Sequence, residues 1–254
     1  MSKVDYHIHS EFSPDSRIKF DELLPYAITK GYTELAITEH LDLSPQEVTI
    51  FGIPSLKKYK KTIEHLRTQY PEIKIHCGIE VGDYQSVKDY AEPILKQMQF
   101  DLVLGSVHFI KDRVNVAIPI KEKLTPDDVL DYYEENLHLV ETCQIDVLAH
   151  LGVYKRYYIE TPDESHCTKV ILKIFEVMID RGIALEINYS AFRRTYQHLH
   201  PEIEQLALYR KLGGKLVTIG SDAHKTEQLG DYCDIAYDAL NKFGFEHLTI
   251  PKSN

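Results

Sequence analysis

Short apolar runs alternate along this chain with segments of helical periodicity. The runs are rich in β-branched residues and end at breakers, which predicts buried strands over 4–8, 35–38, 73–79, 101–107, 145–149, 183–187 and 216–220. Between them, apolar residues recur at spacings of three and four, as in amphipathic helices. The clearest helix start is Thr125-Pro126-Asp127-Asp128, with a capping residue, a first-turn proline and two acids. This alternation indicates an α/β fold with a parallel sheet.

The number of strands narrows the fold to two architectures. The 254 residues match the length of an eight-stranded α/β barrel, which typically takes about 250 residues. Seven strands would leave such a barrel incomplete or distorted, and an open doubly wound sheet fits the same pattern. No low-complexity linker divides the chain, so we expect a single domain over residues 1–254.

Charge and composition disfavour several classes of function. Lys and Arg number 29 against 39 Asp and Glu, and the net charge of −10 disfavours binding to nucleic acid or an anionic membrane. No apolar run approaches the roughly 18 residues of a membrane span, and the N-terminus lacks the apolar core of a signal peptide. The four cysteines are widely spaced, which suggests neither a disulfide framework nor a thiolate zinc site. We therefore expect a cytoplasmic protein.

Histidines and acids stand where the predicted strands end. In a parallel α/β protein these ends meet on one face, so the side chains would converge. Residues two apart on a strand point to the same side, as His7 and His9 would, and Asp222 with His224 repeats that spacing. Imidazole and carboxylate ligands predict a site for Zn, Fe or Mn. The residues at the strand ends are His7, His9, Glu39, His40, Glu80, His108, His150, Glu186, Asp222 and His224.

Each of these residues alone has a simpler structural interpretation. His108 or His150 by itself is more often a hydrogen-bonded core histidine, and Glu80 by itself could be half of a salt bridge. So many ionisable groups buried together would repel one another or lack partners unless cations paired them. The joint pattern therefore favours metal binding, whereas His76, far from its strand end, is expected to be structural.

The strand-end residues resemble the motif series of the PHP (polymerase and histidinol phosphatase) superfamily. Two further segments, 104–109 and 185–193, and the short length resemble the monofunctional histidinol-phosphate phosphatases within it. The resemblance implies a distorted (β/α)7 TIM-like barrel with its metal site at the C-terminal strand ends. The matching segments run in order along nearly the whole chain: His7-x-His9, Thr38-Glu39-His40, Gly78-Ile79-Glu80, Gly105-Ser106-Val107-His108, Ala149-His150 and Gly220-Ser221-Asp222-Ala223-His224.

The resemblance also implies a centre of three divalent metal ions. Glu80 would bridge the first two ions, and Asp15 stands where some family members have His, which favours a harder ion such as Mn at the third. The implied sets are His7, His9, Glu80 and Asp222 for the first ion; Glu80, His108 and His150 for the second; and Asp15, His40 and His224 for the third.

The implied reaction is hydrolysis of a small phosphomonoester, L-histidinol phosphate, in histidine biosynthesis. Two metal ions can activate a water for in-line attack at phosphorus and neutralise the phosphate oxygens. By resemblance, Arg156 and Arg193 would bind the phosphate, although Arg193 could equally be a surface charge. Asp222 or His224 would help to protonate the leaving oxygen.

Three other functions remain open at this point. A second phosphatase of the same superfamily could act on a phosphotyrosyl protein or a nucleotide. His-x-His on a first strand with a late Asp also occurs in amidohydrolases, which cleave C–N bonds. A metal-dependent regulatory module would bind metal tightly without hydrolysing any ester.

Overall fold

A sheet of parallel strands forms the centre of the molecule. The computed structural model describes residues 3–111, 114–119, 123–158, 160 and 162–250. Within them, the strands are β1 (Lys3–Ile8), β2 (Tyr32–Asp42), β3 (Lys74–Gly82), β4 (Leu102–Ser106), β5 (Phe109–Ile110), β6 (Val114–Asn115), β7 (Val147–Leu148), β8 (Ala184–Asn188), β9 (Leu216–Gly220) and β10 (Glu246–His247). The sheet follows the order β1-β2-β3-β4-β7-β8-β9-β10, and its neighbours pair in parallel. The pair β5 and β6 is antiparallel and separate.

Helices connect most of the strands. Thr125 caps α5 through a capping box with Asp128, as the sequence pattern predicts. None of the helices in the described part of the chain is long and apolar enough to cross a membrane. The helices are α1 (Phe20–Thr29), α2 (Pro45–Phe51), α3 (Leu56–Gln69), α4 (Tyr84–Met98), α5 (Pro126–Thr142), α6 (Thr168–Arg181), α7 (Ile203–Lys211) and α8 (Cys233–Phe243).

The barrel closes where the first strand meets the segment after β9. The backbone N–H of Asp222 donates to the His7 carbonyl at 2.8 Å, and the N–H of His9 donates to the Ala223 carbonyl at 3.0 Å. At the opposite end β10 pairs with the start of β9, and its His247 ring lies 4.7 Å from the Tyr6 ring. The seam between β1 and β9 is thus closed differently at its two ends. At the C-terminal ends of the strands, here called the mouth, β1 contacts the 222–223 backbone. At their N-terminal ends, here called the floor, β10 pairs with β9.

The distorted TIM-like barrel predicted from the sequence is confirmed, with all seven expected strands present. The structure adds an eighth parallel strand, β10, whose two residues are too few to leave a periodic pattern. It also extends β2 to Asp42, so that His40 lies within the strand rather than after it. The floor of the barrel contains an apolar cluster that includes buried Tyr6, Leu102 and Ile250.

Candidate metal centre

The predicted metal ligands come together at the C-terminal ends of the strands. They lie on, or shortly after, six different strands of the sheet, so the parallel arrangement brings distant parts of the sequence to a single mouth. Eight of the nine have low or intermediate exposure, and Asp15 is exposed. The nine residues are His7, His9, Asp15, His40, Glu80, His108, His150, Asp222 and His224.

The first group of donor atoms surrounds the Nε2 atoms of His7 and His9. These two atoms lie 3.1 Å apart. Glu80 Oε2 is 3.3 Å from His7 Nε2 and 3.5 Å from His9 Nε2. Asp222 Oδ1 is 3.8 Å and 3.4 Å from the same two nitrogens. Four side chains therefore direct ligand atoms toward one small volume.

Glu80 also belongs to a second group, with His108 and His150. Its Oε1 atom lies 2.9 Å from His150 Nε2 and 3.6 Å from His108 Nε2. One carboxylate thus presents Oε1 to this group and Oε2 to the first, the arrangement that a bridging ligand requires.

The third group lies nearest to solvent. His224 Nε2 is 3.1 Å from Asp15 Oδ2 and 3.4 Å from His40 Nε2. Asp15 Oδ1 is 3.7 Å from His40 Nε2, and the Asp15 side chain is 51% exposed. The three residues meet as the sequence predicts, with Asp15 at the rim of the cavity.

The charges of the centre are strongly coupled. Burial would raise the pKa of Glu80, but the charge of His7 and the hydrogen bonds from His108 and His150 lower it well below its usual range. Burial opposes a charge on His7, yet the neighbouring Glu186 and Glu80 raise its pKa well above 6.5. Burial and the charges of His40 and His224 lower the pKa of His9 instead. The carboxylates are therefore ionised and surrounded by imidazoles.

The donor atoms fit divalent cations. Among the described residues, Glu80 Oε2, His40 Nδ1 and His150 Nδ1 are buried atoms without a hydrogen-bond partner. Buried polar atoms normally have one, and facing imidazole nitrogens such as those of His7 and His9 repel unless a proton or cation lies between them. A cation between His7, His9 and Asp222 would satisfy Glu80 Oε2, remove the repulsion between the facing imidazole nitrogens and compensate the carboxylate charge.

A buried carboxylate behind the ligands orients two of them. Glu186 Oε1 lies 2.7 Å from His7 Nδ1, and Glu186 Oε2 accepts the backbone N–H of His150 at 2.6 Å. This fixes the His7 tautomer that leaves Nε2 free for a metal ion. A Cβ on Gly220 would lie 1.8 Å from Glu186 Oε1, so glycine is required there. The sequence shows that Glu186 stands at a strand end, but only the folded sheet shows which groups it contacts.

Three further acids hold the backbone of the centre, and sequence reasoning missed these roles. Asp5 Oδ1 accepts the N–H groups of His7 and Ser221, each at 3.1 Å, and burial raises its pKa to about 7. Asp83 Oδ1 accepts the N–H of His108 at 3.0 Å. Glu39 accepts from the hydroxyls of two serines that follow β1. Asp5 lies two residues before His7 in an apolar strand, and this spacing is a signal that could have revealed it.

The two predicted phosphate ligands differ in their surroundings. Arg156 Nη2 donates to Asp222 Oδ2 at 2.6 Å and to Ser190 Oγ at 2.9 Å, so its guanidinium lies directly beside the metal ligands. Arg193 donates to the carbonyls of Ser221 and Asp222 and pairs with Asp231 at 3.1 Å. Arg193 therefore already has partners that hold the segment between β9 and His224.

Two cavities adjoin the centre. One of about 390 Å³ lies beside Asp222 and His224 and is lined by Arg17, Arg194 and Lys225, together with Arg156 and Arg193. The other, about 150 Å³, is lined by Glu80, His108 and the acids Asp42 and Glu47. Both cavities share Asp15, Arg156, Asp222 and His224; the larger one has further cationic side chains, and the smaller one has Asp42 and Glu47.

Known proteins are similar to this chain in sequence and in architecture. The histidinol-phosphatase of Lactococcus lactis is 29% identical over a gapped alignment of 266 positions. The alignment covers 98% of this chain and 94% of that protein. The probable histidinol-phosphatase of Clostridium acetobutylicum is 29% identical over 233 residues, covering 89% and 88%.

Solved structures extend the likeness to three dimensions. The L. lactis histidinol phosphate phosphatase, crystallised with zinc, L-histidinol and phosphate, superposes with a TM-score of 0.83 at 27% identity and covers 97% of this chain and 95% of its own. A putative histidinol phosphatase of Listeria monocytogenes gives a TM-score of 0.82 at 20% identity, covering 92% and 99%, and supports the fold.

A family model confirms the resemblance seen in the strand-end residues. The model of the PHP domain matches residues 5–190, which is well over half of the chain. The predicted ligands other than Asp222 and His224 lie within this range. This chain belongs to the PHP domain family.

Proposed function

We propose that this chain is a metal-dependent phosphomonoester hydrolase that converts L-histidinol phosphate and water to L-histidinol and phosphate. The observation that carries the proposal is the bridging position of Glu80 between two donor groups, with the Arg156 guanidinium beside them. The Lactococcus lactis enzyme, bound to zinc and to both products of this reaction, supports the choice of substrate.

The proposal includes three divalent ions, with Zn, Fe or Mn as candidates. Such ions would supply Lewis-acid activation of water and neutralise the phosphate charge. Glu80 would contribute to two of the sites, and Glu186 would orient His7 and the backbone of His150 beside them. The ligand sets are His7, His9, Glu80 and Asp222; Glu80, His108 and His150; and Asp15, His40 and His224.

The chain itself supplies charge and protons around the phosphate. Arg156 would bind phosphate oxygens with its planar fork, and Arg193 would hold the Asp222 segment while reaching the same cavity. Burial alone would raise the pKa of the Asp222 carboxyl, but the neighbouring Arg156, His9 and His7 lower it well below its usual range. This carboxylate is therefore ionised. Of the two proposed proton donors for the leaving oxygen, Asp222 and His224, this favours His224.

The polarity of the mouth orients the proposed substrate. Its phosphate would face Arg156 and the cationic cavity, whereas its ammonium and imidazole would face Asp42 and Glu47. A polynucleotide would need a basic groove to follow its backbone, and the net charge of −10 disfavours that partner. We also propose a single domain over residues 1–254 and a cytoplasmic location. The four free cysteines support this location, since disulfides are rare in the cytosol.

The test is phosphate release by the metal-loaded protein from L-histidinol phosphate, phosphotyrosine, a nucleoside monophosphate and a phosphodiester. We expect a preference for L-histidinol phosphate that His108→Ala abolishes. Preference for another monoester would overturn the substrate, and no turnover of any ester by protein with bound metal would overturn the reaction.

A further inference from the structure

A buried lysine precedes the proposed phosphate-binding arginine. Lys155 is 1% exposed, and its Nζ donates to Glu164 Oε1 at 2.6 Å and to Glu202 Oε1. Burying an ammonium group is unfavourable unless it is paired and hydrogen-bonded, and here two carboxylates supply both. The metal centre makes no use of this group, so its retention in the interior needs another explanation.

Tyrosine hydroxyls hold both carboxylates in place. Tyr133 and Tyr154 donate to Glu164 Oε2 at 2.6 Å and 2.7 Å. Tyr196 donates to Glu202. Tyr133 lies in α5, Tyr154 in the turn beside Lys155, and Glu202 at the start of α7. The lysine is therefore the centre of a network that joins three parts of the fold.

The segment that carries Arg156 is short, and it is held by its side chains: Val153 and Tyr154 are buried in the core. Residues Val153–Tyr157 form a single stretch of 3-10 helix entered through Gly152, whose φ of +95° is in the left-handed region. So short a helix is only marginally stable by itself. Lys155 and Arg156 are adjacent and point to different partners, the lysine to the acid and tyrosine network and the arginine to Asp222 and Ser190.

We propose that Lys155 is a positioning residue that fixes the 153–157 turn so that Arg156 meets the phosphate. The inference rests on the proposed phosphomonoester hydrolysis. Lys155 acts through Arg156 and does not contact the phosphate. Its loss would leave two acids without their shared cation and release the turn, while the metal ligands would stay in place.

The test compares Lys155→Met and Lys155→Arg with Arg156→Ala as a benchmark. Lys173→Met is the matched control, because Lys173 is 54% exposed on α6 and has only a 3.9 Å pair with Glu176. Calorimetry measures the binding of inorganic phosphate to each metal-loaded protein, and elemental analysis measures the bound metal. We expect Lys155→Met to weaken phosphate binding about tenfold, the effect of a misplaced charged hydrogen-bond donor, with wild-type metal content. Lys155→Arg should restore most of the affinity, and Lys173→Met should behave as wild type.

Kinetics separate this role from general destabilisation. For L-histidinol phosphate, Lys155→Met should raise KM more than it lowers kcat, whereas a stabilising role alone would lower the melting temperature and leave KM unchanged. A folded Lys155→Met protein with wild-type phosphate affinity would overturn the inference. Should that variant not fold, Glu202→Gln and Tyr196→Phe decide: weakened phosphate binding supports the positioning role, and unchanged binding overturns it. If the wild type binds phosphate without cleaving L-histidinol phosphate, the proposed function fails. The phosphate affinities of the wild type and the Lys155 variants would still test whether Lys155 positions Arg156.

Discussion

Both ends of the barrel contain histidines beside carboxylates, but only one end resembles a reactive centre. At the floor, His76 Nε2 lies 2.6 Å from Glu34 Oε1, and the same carboxylate oxygen accepts from Tyr6 and Lys74. At the mouth, Glu80 is likewise surrounded by imidazoles, yet its Oε2 is a buried atom with no hydrogen-bond partner in the described part of the chain.

The difference between the two ends lies in how completely the polar atoms are paired. The floor satisfies Glu34 with a hydroxyl, an ammonium and an imidazole, and these groups lower its pKa although burial raises it. The mouth combines several imidazoles with ionised carboxylates and leaves Glu80 Oε2 without a hydrogen-bond partner among the described residues, beside the imidazole nitrogens of His7 and His9. Residue type alone therefore does not distinguish the two ends, whereas the convergence of ligand atoms and the unpaired Glu80 Oε2 do.

The largest expected effect comes from removing the bridging charge at the mouth. Glu80→Gln should lower kcat for L-histidinol phosphate on the order of 10³-fold, because it weakens two metal sites and their stabilisation of the transition state. Elemental analysis should show less bound metal. The matched floor variant, Glu34→Gln, should keep its metal and activity, and equal losses in both variants would contradict the distinction between the two ends.

A second prediction concerns proton delivery at the mouth. His224→Asn should lower kcat/KM on the order of 10²-fold more for L-histidinol phosphate than for p-nitrophenyl phosphate, since a phenolate leaving group needs no proton. Asp222→Asn, which removes an ionised carboxylate, should affect the two esters alike. Parallel assays of both esters with each variant measure this ratio. An equal loss on the two esters in His224→Asn would leave His224 as a ligand only.

Orientation of the ligands should matter less than the ligands themselves. Glu186→Gln should weaken metal binding about 10- to 100-fold, because it perturbs the His7 tautomer and the acceptor for the His150 backbone. Competition with a chelator measures the affinity. Unchanged affinity would show that the strands alone hold these imidazoles.

The smallest effect is expected at the floor. His76→Gln should reduce the free energy of unfolding by about 1 kcal/mol, the typical net value of one hydrogen bond. Urea unfolding of the metal-loaded protein measures the change, with kcat as the control. A loss of activity comparable to that of Glu80→Gln would show that the floor contributes to the reaction.

Much of the fold and the convergence of the site could be predicted from the sequence. Parallel strands leave apolar runs, and their C-terminal ends must share one face, so the meeting of His7, Glu80 and Asp222 follows from position. The ligand roles of these residues stay predictions. β10 escaped detection because Glu246 and His247 form a strand only through β9, with no periodicity of their own.

Side-chain partners were the part that the sequence could not supply. Arg156 and Arg193 are equivalent as sequence signals, each following a strand end, but only the packed loops decide which guanidinium has carbonyl partners. Lys155 gave no signal, because a lysine beside an arginine in a loop is typical of a solvent-exposed segment. Its burial depends on acids and tyrosines far along the chain.

The seam between β1 and the residues after β9 has a consequence for the order in which the protein matures. His7 and His9 leave the ribosome well before Asp222 and His224, which lie more than 200 residues further along the sequence. Because the backbone bonds between His7 and Asp222 and between His9 and Ala223 close the mouth, no nascent chain can assemble the first ligand group until Asp222 has emerged. Contacts between such distant residues form slowly. Metal loading would therefore follow the synthesis of the 222–224 segment and report that the barrel has closed.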